Sequence, residues 1–202
     1  MPVAGRVVTG YSKPKIADYA CTAGVISYSN GMTLARGVSV EISVDEGDSN
    51  NFYADNQLAE SDSGAFTSGT ATLTVDGLKA NAEKSIQGLP TADDDGFLNY
   101  NDDQNKGYKG IGYITRYQSD GVVTFVPTII VKTKFNQLSR SAQTQEESKN
   151  YQTQQLTARI HRGDDAKHTW LKVSETEYET EAAAEAALNT ALGITSTTGG
   201  NL

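Results

Sequence analysis

The chain has 202 residues, enough for one domain with a substantial core, and its 17 Lys and Arg against 25 Asp and Glu leave a net charge of -8. Such a balance argues against a grip on nucleic acid or on an anionic membrane, because both call on clustered Lys and Arg. Cys21 is the only cysteine, which excludes an intrachain disulfide and a cysteine-based metal cluster.

The opening residues, Met1 to Arg6, lack the apolar core of a signal peptide, and no run approaches the ~20 apolar residues of a membrane span. A soluble protein made in the cytoplasm is the expectation. The first clear pattern lies at Val38 to Val44, where Val38, Val40, Ile42 and Val44 alternate with Ser39, Glu41 and Ser43 and predict a half-buried strand. Asp45 to Ser63 follows as a long polar stretch that can supply no core. Thr70 to Val75 alternates again, with Ala71, Leu73 and Val75 inward and Thr70, Thr72 and Thr74 forming a polar β-branched face. Leu78, Ala82, Ile86 and Leu89 then recur at helical spacing. Asp76 or Gly77 opens this segment and Gly88 with Pro90 closes it, so a helix packed on the sheet is predicted.

Two apolar runs, Ile111 to Tyr117 and Val122 to Phe135, flank Gln118-Ser119-Asp120-Gly121, and Asp-Gly between such runs signals a hairpin. The second run carries Val123, Phe125, Ile129 and Val131 on one face and Val126 and Ile130 on the other, which predicts cover on both sides. Pro127 cannot donate to a ladder and so predicts a bulge or an edge. Asn136 to Thr153 is a second long polar stretch, rich in Gln and Thr. Because it extends two strands directly, it reads as a hairpin arm ordered by pairing with neighbouring copies, or as a surface loop; composition does not separate the two. Gln155 to His161 and His168 to Val173 predict a closing pair of strands joined across Arg162 to Lys167. A second helix over about Glu181 to Leu192 has Thr180 as N-cap, acidic residues near its start and Gly193 as its stop. Its apolar side is Ala183, Ala184, Ala187, Leu188, Ala191 and Leu192. Residues 1–194 thus read as one mainly-β domain, and Thr195 to Leu202 as a flexible tail.

Phe52-Tyr53-Ala54-Asp55-Asn56, the Gly64 to Val75 strand region, the Leu78 to Leu89 helix and the Gly107 to Phe135 hairpin follow in order. After them come the polar connection containing Thr144 and Thr153, a strand reaching Ile160, the His168 to Val173 strand and the Ala/Glu-rich helix. This layout, over roughly Arg36 to Gly193, resembles the major tail proteins (tail tube proteins) of long-tailed, siphovirus-type bacteriophages of Gram-positive bacteria. The resemblance implies a mainly-β fold, a β-sandwich or barrel of two packed sheets with a flanking α-helix and a C-terminal helix, related to type VI secretion tube proteins. It implies a structural virion protein with no enzymatic activity and no cofactor or metal. Its copies would form hexameric rings stacked into the tail tube, the conduit for DNA ejection.

Implied partners are further copies of the chain, a tape measure protein, a tail terminator and distal tail or baseplate proteins. Double-stranded DNA would pass through without specific binding, and no membrane would be touched. The implied location is the virion tail, after synthesis in the host bacterial cytoplasm. Candidate assembly residues are Phe52, Tyr53, Asp55 and Asn56 in the first arm and Gln143, Thr144, Glu146, Tyr151 and Thr153 in the second.

Other chemistry is weakly supported. Asp93-Asp94-Asp95 with Asp102-Asp103 invites calcium, but placing Gly96 at the invariant glycine of an EF-hand puts Thr91 and Asp102 where Asp and Glu are needed. His161 and His168 flank Asp164 and Asp165 without a third ligand at fixed spacing. There is no Gly-x-Ser-x-Gly elbow and no phosphate-binding loop. Trp170 reads as a packing anchor; the alternative from another class is a carbohydrate-binding or adhesive β-sandwich with Trp170 and tyrosines as its platform.

Overall fold

Alternating β-branched and polar residues make the strands, and two short apolar stripes make the helices. The computed structural model describes residues 5–47, 50–54, 57–62, 65–144 and 151–194. In chain order the elements are β1 (Val7–Thr22), β2 (Val25–Thr33), β3 (Gly37–Glu46), β4 (Asn50–Ala54), β5 (Gln57–Asp62), β6 (Phe66–Val75), α1 (Ala80–Gln87), β7 (Lys109–Ser119), β8 (Val122–Phe135), β9 (Gln154–His161), β10 (Leu171–Val173) and α2 (Glu181–Ala191). The fold is mainly β: one antiparallel sheet of eight strands runs β2-β1-β7-β8-β9-β6-β3, with β10 added to β8. β4 and β5 form a separate two-stranded ribbon.

The predicted β7–β8 hairpin is present, closed by Asp120 and Gly121 at φ 47° and 83°, the doubly positive geometry that Asp-Gly favours. Within β8 the ladder slips once. Ile111 stands opposite Ile130 and Lys109 opposite Thr133, so Val131 and Lys132 together face Gly110 in a β-bulge. Before the bulge Ile130 points into the main core; after it Phe135 does, while Lys132 and Lys134 turn outward. One extra residue thus keeps the core on one side of a long strand while changing which sequence positions reach it.

The closing strands do not pair with each other as predicted. β9 lies against Lys132 to Phe135 of β8 and β10 against Thr128 to Ile130, so they run end to end along the same edge of one strand. The Arg162 to Lys167 turn is an excursion between two parts of one broken strand. Pro127 is away from the bulge: it sits opposite Ile114 of β7, and on its other side the β10 ladder has ended at Thr128, so it faces a locally open edge, as expected. Its carbonyl accepts from Ser174 N at 3.0 Å, and the next bonds on that side join Phe125 to Tyr178. The missing N–H therefore falls where the chain between Ser174 and Tyr178 bows away.

The main core gathers Ile16, Ala71, Leu73, Val75, Ile111, Ile130, Leu156 and Ile160 from five strands, closed by Ala82 and Ile86 of α1. The inward face expected of Ala71, Leu73 and Val75 is present, whereas in β3 Val40 and Ile42 touch the core and Val38 and Val44 stay exposed. β3 overruns the core at both ends. α1 starts at Ala80, later than Leu78, because Lys79 is extended and offers no side-chain cap; its stop at Gly88, φ 60°, is the expected one.

α2 packs on the other face of the sheet, where Ala184, Leu188 and Leu192 meet Ala17, Ile114 and Ile129. Thr180 Oγ1 caps it by accepting from Ala183 N at 3.3 Å. The β1–β2 hairpin, at residues where the sequence carries little pattern, turns on Ala23 and Gly24 with φ of 51° and 79°. The predicted flexible tail, Thr195 to Leu202, lies outside the described residues.

Candidate assembly interface

The two polar arms leave the domain on different terms. The first begins as a continuation of the β3–β6 ladder, which runs to Glu46 opposite Phe66 and is followed by Gly47 N donating to Ala65 O at 3.0 Å. Beyond it, β4 and β5 pair from Asn50 opposite Asp62 to Ala54 opposite Gln57, with one slip between Phe52 and Tyr53. Phe52 and Tyr53 thus sit on a β-ribbon outside the main sheet; Asp55 and Asn56 lie outside the described residues.

The second arm forms no ladder within a single copy: β8 stops at Phe135, β9 starts at Gln154, and residues 136–144 and 151–153 pair with no strand. Gln- and Thr-rich sequence with no apolar alternation offers neither face a core to pack on, so nothing inside the domain holds it extended. Its base is nevertheless anchored. Asn136 N donates to Thr157 O at 2.9 Å, and Leu138 packs on the core. The Arg140 guanidinium pairs with the Glu83 carboxylate and lies over the Tyr100 ring at 5.5 Å. Both ends of the arm, Ser139 to Ala142 and Gln152 to Gln155, line one cleft of about 660 Å³ with Asp76, Leu78 and Glu83. Gln143, Thr144, Tyr151 and Thr153 are exposed, Tyr151 at 88%, and Glu146 lies outside the described residues.

Two more features bear on association. The terminal strands of the sheet, β2 and β3, each present one long edge without a strand partner among the described residues. The outer face of β8 and β9 also collects cations that are scattered in sequence. Lys134 stands directly opposite Arg159 and Lys132 opposite His161. Lys132 Nζ lies 4.4 Å from the centre of the Tyr108 ring and Lys134 Nζ 5.7 Å from it. Burial, and then the charges of Arg159, Lys132 and Lys134, push the His161 imidazole below its ordinary range. Composition hid this cluster because the whole chain is acidic; only strand register brings its members together.

The residues weighed for other chemistry are spent locally. The His161 ring meets Tyr108 edge-on, and His168 Nδ1 lies 3.1 Å from Gly163 O. Asp93 accepts from Phe97 N at 2.7 Å and Asn99 Nδ2 at 3.0 Å, closing its own turn. Among the described residues no three His, Cys, Asp or Glu side chains converge on a metal-sized site. Trp170 is stacked on Phe66, ring centres 4.5 Å apart and planes 6° from parallel, at the border of the main core. No family model matches the chain, and no curated protein matches it as a relative.

Proposed function

We propose that the protein is the tail tube subunit of a long-tailed bacteriophage, a structural virion protein whose copies assemble into stacked hexameric rings around the path of DNA ejection. The observation that carries the reading is the pair of polar arms on a domain that completes its core without them. The β4–β5 ribbon lies outside the main sheet, and among the described residues of the 136–153 segment only Leu138 packs on the main core, with Arg140 paired to Glu83. An isolated two-stranded ribbon is marginal in water, so its ordering calls for a neighbour. The open edges of β2 and β3 offer heterologous contacts of the kind that close rings.

In this reading the eight-stranded sheet would fold over at β8 into two packed layers, β2-β1-β7 on one side and β9-β6-β3 on the other, as in the type VI secretion tube proteins. The net charge of -8 suits a conduit that must not hold its cargo tightly. A glycan-binding reading has less to stand on, because one face of Trp170 is already taken by Phe66. Electron microscopy of concentrated purified protein tests the proposal: tubes of stacked rings are expected, and discrete monomers at every concentration, together with absence from the tails of the parent virion, would overturn it.

A further inference from the structure

The outer face of β8 and β9 gathers Lys132, Lys134, Arg159 and His161 into a stripe, in a chain whose net charge is -8. Like charges placed directly opposite in an antiparallel pair are destabilising, and a carboxylate at either position would relieve the pair. Lys134 and Arg159 nevertheless face each other, both exposed, with no carboxylate within salt-bridge distance of either among the described residues. Lys106 lies close by, its amine pushed below the ordinary lysine range by burial and by Lys134. Asp164 neutralises Lys132 at 2.7 Å, but Lys134 and Arg159 keep their charge, since Asp45 reaches Arg159 only through the Ser68 hydroxyl.

Around these cations the same face carries hydroxyls and an amide. Thr157 and Gln155 on β9 stand beside Thr72 and Thr74 on β6, and Thr70 pairs with Arg159. Lys, Arg, Thr and Gln are the side chains that contact the sugar-phosphate backbone. The Tyr108 and Tyr19 rings beside the stripe are engaged by its own lysines, Lys132 with both and Lys134 with Tyr108.

We propose that this face binds the phosphate backbone of double-stranded DNA, weakly and without regard to sequence, through Lys134, Arg159 and Lys106. Duplex DNA fits better than an acidic polypeptide because its condensed counterions are released on contact, a gain that can outweigh the repulsion of a chain with net charge -8. The inference does not depend on tube formation, since a single copy carries the whole stripe.

Fluorescence anisotropy of a labelled duplex titrated with the purified full chain tests it, with salt as the variable. With about three phosphate contacts, affinity should fall roughly fortyfold between about 50 and 200 mM salt, a log-log slope of about -2.7. The double variant Lys134→Gln/Arg159→Gln should lower that slope by about 2, and Arg6→Gln/Lys13→Gln, the same charge change elsewhere, should leave it unchanged. Equal effects of the two variants would reduce the interaction to net charge and overturn the assignment. So would the absence of binding at the lowest salt, or equal binding of polyglutamate, which would mark the stripe as a site for acidic protein. Matching thermal melts of both variants and the parent chain establish that the fold is intact.

Discussion

Lys15 Nζ lies 2.7 Å from Glu185 Oε1, so an ammonium buried in the middle of β1 is neutralised by a carboxylate on the flank of α2. The lysine side chain is 4% exposed and the glutamate 26%. Burial alone would push the Glu185 carboxyl up, but hydrogen bonds from Lys15 and Lys13 outweigh it and hold the group below the ordinary glutamate range. A depressed carboxylate stabilises the fold fully above its unfolded value, and that contribution is lost as pH falls through the folded value. Glu185→Gln should therefore cost about 1–2 kcal/mol at about pH 7, the low side for a charge-assisted bond because the glutamate is partly solvated, and much less at about pH 3. Urea unfolding at both pH values reads the difference.

Gly112 of β7 lies under α2, and a Cβ there would come within 2.6 Å of Leu192 Cδ1 and 2.7 Å of Leu188 Cδ1. Gly112→Val should thus lift the helix and cost about 1–3 kcal/mol as an overpacked contact. Leu188→Ala, which empties the same contact, should cost about 2–5 kcal/mol. Thermal unfolding measures both, and limited proteolysis near Thr180 should speed up in the first variant if the helix detaches.

Pro127 sits where its missing N–H meets no acceptor, between the bonds at Ser174 and Tyr178. Pro127→Ala adds a buried donor without a partner and loosens the unfolded chain, so a loss of about 1–3 kcal/mol is expected. An unchanged midpoint in urea would mean that the bowed segment can close on the new N–H.

Excising residues 143–152 and bridging the gap with a short Gly/Ser linker should leave a folded monomer that no longer forms tubes, because Gln143, Thr144 and Tyr151 bury nothing inside the domain. Extending the excision back to Asn136 should also lower the melting temperature, because it removes Leu138 and the Arg140–Glu83 pair. Circular dichroism separates the two deletions, and electron microscopy checks assembly.

Strands with clean alternation or an Asp-Gly turn were legible in the sequence, as Leu73, Ile130 and the Asp120-Gly121 turn illustrate, and so was the capped α2. What the sequence did not carry was register. The bulge at Val131 and Lys132, the end-to-end placement of β9 and β10, and the facing of Lys134 by Arg159 depend on which strands lie side by side. β1 was illegible for a local reason: it slips twice against β7 and contains Lys13 at φ 53° beside Pro14, so no alternation survives along it. Of the candidate site, Phe52 and Tyr53 fell on a ribbon and Gln143, Thr144, Tyr151 and Thr153 on an exposed segment, while the cationic stripe was masked by the net charge.

The strand order also sets a timetable for the growing chain. β1 leaves the ribosome first, yet Lys15 must wait for Gly112 and Gly69 must wait for Ile160. Contacts this distant in sequence close slowly, on the order of milliseconds to seconds, because a long loop must be organised before any of them forms. During that wait β1 can pair only with β2, and its other edge stays open to capture by other nascent copies. Lys13 and Pro14, which break its pattern, make it a poor template for such capture. The irregularity that hid β1 from a reading of the sequence is thus also a safeguard against premature association in a protein whose mature business is proposed to be association.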